Sequence, residues 1–207
     1  METRQDKGKL RQERILEAAQ EVFANKGYNE AAMDDIASES QTSKGGLYFH
    51  FPNKQAIFLA LLNQMAALLL SRVRAAMVNE PQLAAKGDAA LKTVLYTFAG
   101  HPRLTRLFLI EAPGAGHEFN AKLMEMHVSF VAIIKDYLDE AQKQGLIDAN
   151  LDTEIAGIAW FGAINEVVLR WLMGNRSGVA AKPLEVAYPT LREILRRGLG
   201  MQIFDFL

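Results

Sequence analysis

The stretch that decides how this chain folds is Asp35-Ile36-Ala37, followed after a short break by Thr42-Ser43-Lys44-Gly45-Gly46-Leu47-Tyr48-Phe49-His50-Phe51-Pro52-Asn53-Lys54. A hydroxyl at Thr42 or Ser43 can accept from the free N–H groups that open a helix. Pro52 biases the residue before it away from helical backbone, so the helix is expected to end there. Gly45 and Gly46 each lower its intrinsic stability by about 1 kcal/mol relative to alanine, so it is not built mainly for packing. Glycine near a helix start lets a phosphate or a base edge come close to the backbone. Leu47 and Phe51 lie four apart and can face inward. That leaves Ser43, Lys44, Tyr48 and His50 to face outward.

Toward the N-terminus, Ile15, Leu16, Ala19, Val22 and Phe23 fall at helical spacing and predict an amphipathic helix of about five turns. Asn25-Lys26-Gly27 ends it, with glycine in the left-handed position. Tyr28 is expected to pack back on the same small core. A short second helix carries Met33, Ile36 and Ala37 on its inner face and breaks at about Ser40-Gln41. On the other side, Asn53 can cap a long fourth helix that carries Ile57, Phe58, Leu61, Leu62, Met65, Leu68, Leu69 and Val73. Three short helices with a tight turn between the second and third make a helix-turn-helix unit. In such a unit the second helix of the pair enters the DNA major groove.

Over about residues 10–58 this run resembles the DNA-binding domain of the tetracycline-repressor (TetR) family; the rest agrees in length and all-helical character. The resemblance implies an all-α fold in which residues 1–53 form a three-helix helix-turn-helix domain. A long helix joins this to a ligand-sensing and dimerisation domain over 54–207. It implies a sequence-specific regulator, a repressor released by a small lipophilic ligand, whose partner is a palindromic double-stranded operator. Carried over residue by residue, the DNA-binding positions are Gln41, Thr42, Ser43, Lys44, Gly45, Tyr48, His50 and Lys54, with Arg4 and Lys9 in an N-terminal arm. Lys44 offers a charge-assisted contact to guanine or phosphate. Tyr48 and His50 suit phosphate oxygens, which set register without reading sequence. Lys54 stays open between a solvated surface base and a phosphate contact. Phe49 and Phe51 are expected in the core. The chain departs from the family at Ala31-Ala32, where a capping hydroxyl is usual, at Asp34, where a base is frequent, and at Gln41, where glycine is common.

In the C-terminal body, spacing and punctuation predict helices near 82–99, 103–112, 117–144, 152–174 and 183–199, with Asn175-Arg176-Ser177-Gly178 as a loop. The family resemblance makes the last two helices a four-helix bundle in a homodimer. The first of them is apolar, and Gly157, Gly162 and Ala163 would let a partner helix approach. The alternative is a buried core helix. Candidate effector-binding residues are Phe98, Phe108, Glu111, His127, Phe130, Phe161 and Asn165, an apolar set with a few polar groups. Each aromatic among them is open between pocket lining and plain core. The segment from Trp160 to Trp171 resembles the corresponding helix in family members that respond to fatty acyl-coenzyme A, so acyl-CoA or a fatty acid is the candidate effector.

Composition bounds the remaining classes. The chain has 207 residues, half of them hydrophobic, and no cysteine, so disulfides, thiolate metal sites and a cysteine nucleophile are excluded. Net charge is −1, and residues 1–54 hold eight Lys/Arg against nine Asp/Glu, so a DNA reading rests on where charges sit. The basic arm is Arg4, Lys7, Lys9, Arg11 and Arg14. Apolar runs such as Met65–Leu70 are far shorter than the roughly 20 residues of a membrane span. The expectation is a cytoplasmic protein with no membrane contact and no cofactor. Glu111, His117 and His127 lack the i, i+4 spacing of paired metal ligands on a helix, so no metal is expected. No nucleophile elbow, phosphate loop or dinucleotide fingerprint is present, so an enzyme is not expected. The other readings kept open are an all-helical enzyme or a scaffold with a vestigial DNA-binding domain.

Overall fold

The apolar spacing resolves into helices along the whole described chain. The computed structural model describes residues 4–174 and 183–199, the side chains of Arg4 and Gln5 excepted. The nine α-helices among these residues are α1 (Arg4–Glu30), α2 (Met33–Glu39), α3 (Lys44–His50), α4 (Lys54–Val78), α5 (Leu83–Gly100), α6 (Pro102–Arg106), α7 (His117–Lys143), α8 (Thr153–Met173) and α9 (Leu184–Gly198). Between α6 and α7 the chain makes a π-helical turn, Leu107–Glu111, and a 3₁₀ turn, Ala112–Gly114. Pro113 has no N–H to give the Leu109 carbonyl, so the α-helical ladder cannot continue there. The loop expected at 175–178 lies outside the described residues.

The expected signals sit at the helix ends. Gly27 interrupts α1 with φ 77° and ψ 164°, a backbone that only glycine adopts at little cost. The Asn53 carboxamide accepts from the Ala56 N–H at 2.8 Å to open α4. The Asp152 carboxylate accepts from Glu154 and Ile155, both at 3.0 Å, to open α8. Pro102 occupies the first turn of α6.

The described residues group into two compact units. The first holds the described residues up to Leu68 together with His101–Leu123; the second holds Leu69–Gly100 and the described residues from Met124 on. The first unit is built on Ile15, Ala19 and Phe23 of α1, Ile36 of α2, Leu47 of α3 and Ile57, Phe58, Leu61 and Leu62 of α4, all buried. Four rings close it: Phe23 and Phe58 meet edge-on at 5.2 Å, and Phe119 meets Tyr28 and Phe58, each at 5.0 Å. Edge-to-face packing of this kind adds to simple area burial. Arg103 of α6 pairs with Glu21 of α1.

The second unit has a core of Tyr137, Leu138, Ala141, Ile147 and Leu199, against which Trp160, Met77 and Ile134 pack. The Arg192 Nε lies 2.8 Å from both oxygens of Asp88 and ties α9 to α5. The Thr153 hydroxyl donates to Asp139 and fixes the start of α8 against α7. By mean hydropathy over a window, rather than by unbroken runs, α4 and α8 are long and apolar enough to cross a membrane. For α4 much of that window is core. For α8 only 11 % of that window is buried, so much of its apolar surface is left uncovered by the other described residues.

Candidate nucleic-acid interface

The reading surface begins with the turn between α2 and α3. Gln41 takes φ 51°, the left-handed backbone that glycine usually supplies. Of the two possible caps for α3, the structure uses Ser43, whose hydroxyl accepts from the Gly46 N–H at 3.2 Å. Thr42 turns its hydroxyl to donate to the Ser40 carbonyl at 3.3 Å. A Cβ on Gly46 would sit 3.1 Å from both Ser43 Oγ and Thr42 Cγ2, so the capping hydroxyl would have to give by a few tenths of an ångström to accept any other residue here. At Gly45 nothing lies within 4 Å of where a Cβ would be. Its backbone is open to an approaching molecule.

Leu47 and Phe51 are buried and anchor α3. Residues three and four apart share a helix face, so Lys44, Gly45, Tyr48 and Phe49 lie together on the other side, and all four are exposed. Ser43 and Gln41 are exposed beside them, while Thr42 and His50 are half-buried. Lys9 is exposed on α1. Arg4 begins α1, but its side chain lies outside the described residues.

Lys44 pairs with Asp34 at 2.7 Å, and this hydrogen bond raises its pKa. Both groups are well exposed, so the pair is weak and easily exchanged for a phosphate. The missing hydroxyl at Ala32 is made good in part by Asp35. Its carboxylate accepts from the Ala32 N–H at 3.0 Å and pairs with Lys26 at 2.8 Å, which holds its pKa below the usual carboxylate range.

Two expectations are corrected. Phe49 is not a core residue but is 85 % exposed. The signal was available: with Leu47 and Phe51 inward, a residue between them on a 3.6-residue helix must point away. Lys54 is neither a solvated base nor free for phosphate. Its ammonium donates to the carbonyls of Tyr28, Asn29 and Ala31 at 2.8, 2.9 and 2.9 Å, which uses all three of its N–H groups. It also lies 4.7 Å from the centre of the Tyr28 ring. The negative end of α1 binds this cation.

The expected effector residues fall in both units. In the first, Phe108 is buried, and Glu111 is held by Arg106 at 3.3 Å. In the second, Phe98 is buried in α5, and His127, Phe130 and Phe161 gather on α7 and α8. His127 meets Phe161 at 4.8 Å, and Phe130 stacks on it at 6.2 Å. Burial lowers the His127 pKa. Asn165 is half-buried on the same helix as Phe161.

Comparison with known proteins agrees with this architecture. Residues 15–61 match the model for bacterial regulatory proteins of the tetR family, and residues 62–182 match the C-terminal region of YsiA-like proteins. The chain is 25 % identical over 162 residues to the fatty acid metabolism regulator protein of Bacillus subtilis, covering 78 % of this chain and 84 % of that one. It is 29 % identical over 181 residues to the probable acrEF/envCD operon repressor of Escherichia coli K12, covering 82 % and 79 %. The solved FadR of Bacillus subtilis, in complex with stearoyl-CoA, superposes with a TM-score of 0.78 at 24 % identity, covering 88 % of this chain and 96 % of that one. These three are regulators by name. With one model over the helix-turn-helix, another over most of the body, and the exposed face of α3 where a groove-reading helix carries it, the chain belongs to the tetR family of bacterial regulatory proteins.

Proposed function

We propose that the protein is a homodimeric repressor that acts in the cytoplasm, reads a palindromic operator with α3, and is released by a long acyl-chain effector, an acyl-CoA or a fatty acid. The carrying observation is the two-sided character of α3. A helix of seven residues is pinned by Leu47 and Phe51 and presents Lys44, Gly45 and Tyr48 outward. Lys44 would exchange its Asp34 partner for phosphate or guanine, and Tyr48 would donate to a phosphate oxygen. Ser43, Thr42 and Gln41 stand at the same edge, with Lys9 and Arg4 extending the contact along the backbone.

A palindrome needs two reading helices about 34–36 Å apart, hence two copies. The exposed apolar face of α8, with Ile155 and Ile158 beside the small Ala159 and Gly162, suits a second copy, and Val186 and Ile194 of α9 extend the apolar surface. In this reading the helix-turn-helix up to residue 53 reads DNA, and the remaining helices sense and dimerise. The similarity to the fatty acid metabolism regulator protein supports this effector class. An effector lowers operator affinity only by its differential affinity for the two conformers.

The test is binding of the purified protein to a short palindrome, taken from DNA upstream of its own coding region or selected from random duplexes, titrated with salt. Affinity should fall with a log–log slope of about −0.9 per phosphate contacted. Stearoyl-CoA should weaken binding where coenzyme A alone does not. Equal operator affinity with and without stearoyl-CoA and free fatty acid would remove the proposed effector class. Ile158→Glu should give monomers in sedimentation velocity and lose palindrome binding; an intact dimer would move the interface off this face.

A further inference from the structure

Phe49 is the most exposed large apolar side chain among the described residues, at 85 %. Its position is imposed by the fold, because Leu47 and Phe51 on either side are buried and α3 cannot rotate to cover it. It lies one turn from Gly45, around which there is open space, and its ring meets His50 edge-on at 5.3 Å. Phe49 thus shares a helix face with Gly45, within the exposed arc of α3 that also carries Lys44 and Tyr48. A phenyl ring has no donor or acceptor for a phosphate oxygen or a polar base edge. It gains only by covering apolar surface. In the major groove the apolar group on a base edge is the C5-methyl of thymine.

We infer that Phe49 is a specificity-determining residue that covers the C5-methyl group of one thymine in each operator half-site. Gly45, with no side chain, leaves room for the base edge to reach the ring. The inference rests on the operator-reading function proposed above and adds a base identity to it. The other groups on this arc, Lys44 and Tyr48, fix position on the phosphates or read a purine; Phe49 reads a methyl.

The test is a cycle between residue and methyl group. Wild-type protein, Phe49→Ala and Phe49→Leu are each measured against the palindrome that the wild type selects from random duplexes. Each thymine in turn is then replaced symmetrically by deoxyuridine, which removes the methyl group alone. Circular dichroism and melting check that the variants remain folded, as expected for an exposed position. At one thymine, loss of the methyl should weaken wild-type binding about fourfold per half-site, or about fifteenfold for the pair. The same replacement should leave Phe49→Ala unchanged, and Phe49→Leu should keep part of the effect. If every thymine carries the same penalty in wild type and Phe49→Ala, the inference is overturned while the operator-reading function stands. If the wild type selects no sequence at all, the operator-reading function itself fails and this inference goes with it.

Discussion

Replacing Lys54 with methionine separates a structural role from a DNA-binding one. Methionine keeps an apolar stem of similar length and removes the ammonium. Two of the three carbonyls that Lys54 serves, those of Tyr28 and Ala31, are reached through part-buried hydrogen bonds, and the third, Asn29, is exposed. Each part-buried bond contributes about 1 kcal/mol net. The exposed carbonyl rehydrates and contributes close to nothing. The ammonium over the Tyr28 ring adds about 0.5 kcal/mol. The sum is a loss of about 2.5 kcal/mol, or a fall in Tm of about 5–10 °C for a chain of this size. Urea unfolding at fixed protein concentration measures it, with an unchanged m-value showing that the unfolded state is unaltered. At temperatures where the variant is folded, the salt slope of operator binding should match the wild type. An unfolding curve within about 0.5 kcal/mol of wild type, with a salt slope shallower by about 0.9 per subunit, would refute the reasoning and return Lys54 to the phosphate backbone.

Other outcomes follow from single positions. Gln41→Gly relieves the left-handed backbone and should raise stability by about 0.5–1 kcal/mol, seen as a higher urea midpoint; no gain would mean that φ 51° is unstrained there. Gly87→Ala should cost about 1–3 kcal/mol, because its Cβ would lie 2.6 Å from the hydroxyl and 2.8 Å from Cζ of the buried Tyr137 ring; a melting temperature equal to wild type would show that Tyr137 moves aside freely. His127 has its folded-state pKa lowered below the ordinary 6.5 by burial. The unfolded chain therefore binds the proton more readily. This stability contribution is present above pH 6.5 and is lost as pH falls through the folded-state value. His127→Phe should flatten the decline in stability between about pH 7 and pH 5; an unchanged decline would place its cause elsewhere.

The helices were legible because their signals are local. Asn53, Asp152, Pro102 and Gly27 each act on backbone within one turn, and each stands where its chemistry predicts. The anchors Leu47 and Phe51 were equally plain. At Phe49 aromatic character points inward, but its angular position between Leu47 and Phe51 points out, and position decides. Lys54 could not be read from the sequence, since the carbonyls that bind it lie 23 to 26 residues earlier and meet it only after folding. The pairing of Arg103 with Glu21 is hidden for the same reason: nothing local in either helix names its partner. The departure at Ala32 is plain in the sequence, and so is the acid three residues on, Asp35, which accepts from the Ala32 N–H.

The ring of Phe119 has a consequence for gene construction. It packs on Tyr28 and Phe58, yet it is encoded about seventy codons after the recognition helix. A cassette cut at codon 53 and fused to a foreign sensor would carry neither Phe119 nor Arg103, and Tyr28 would lose a ring neighbour. On the proposed reading of α3, new operator preferences are therefore better introduced as point changes at Lys44, Gly45, Tyr48 and Phe49 within the intact reading frame than by shuffling whole heads between regulators.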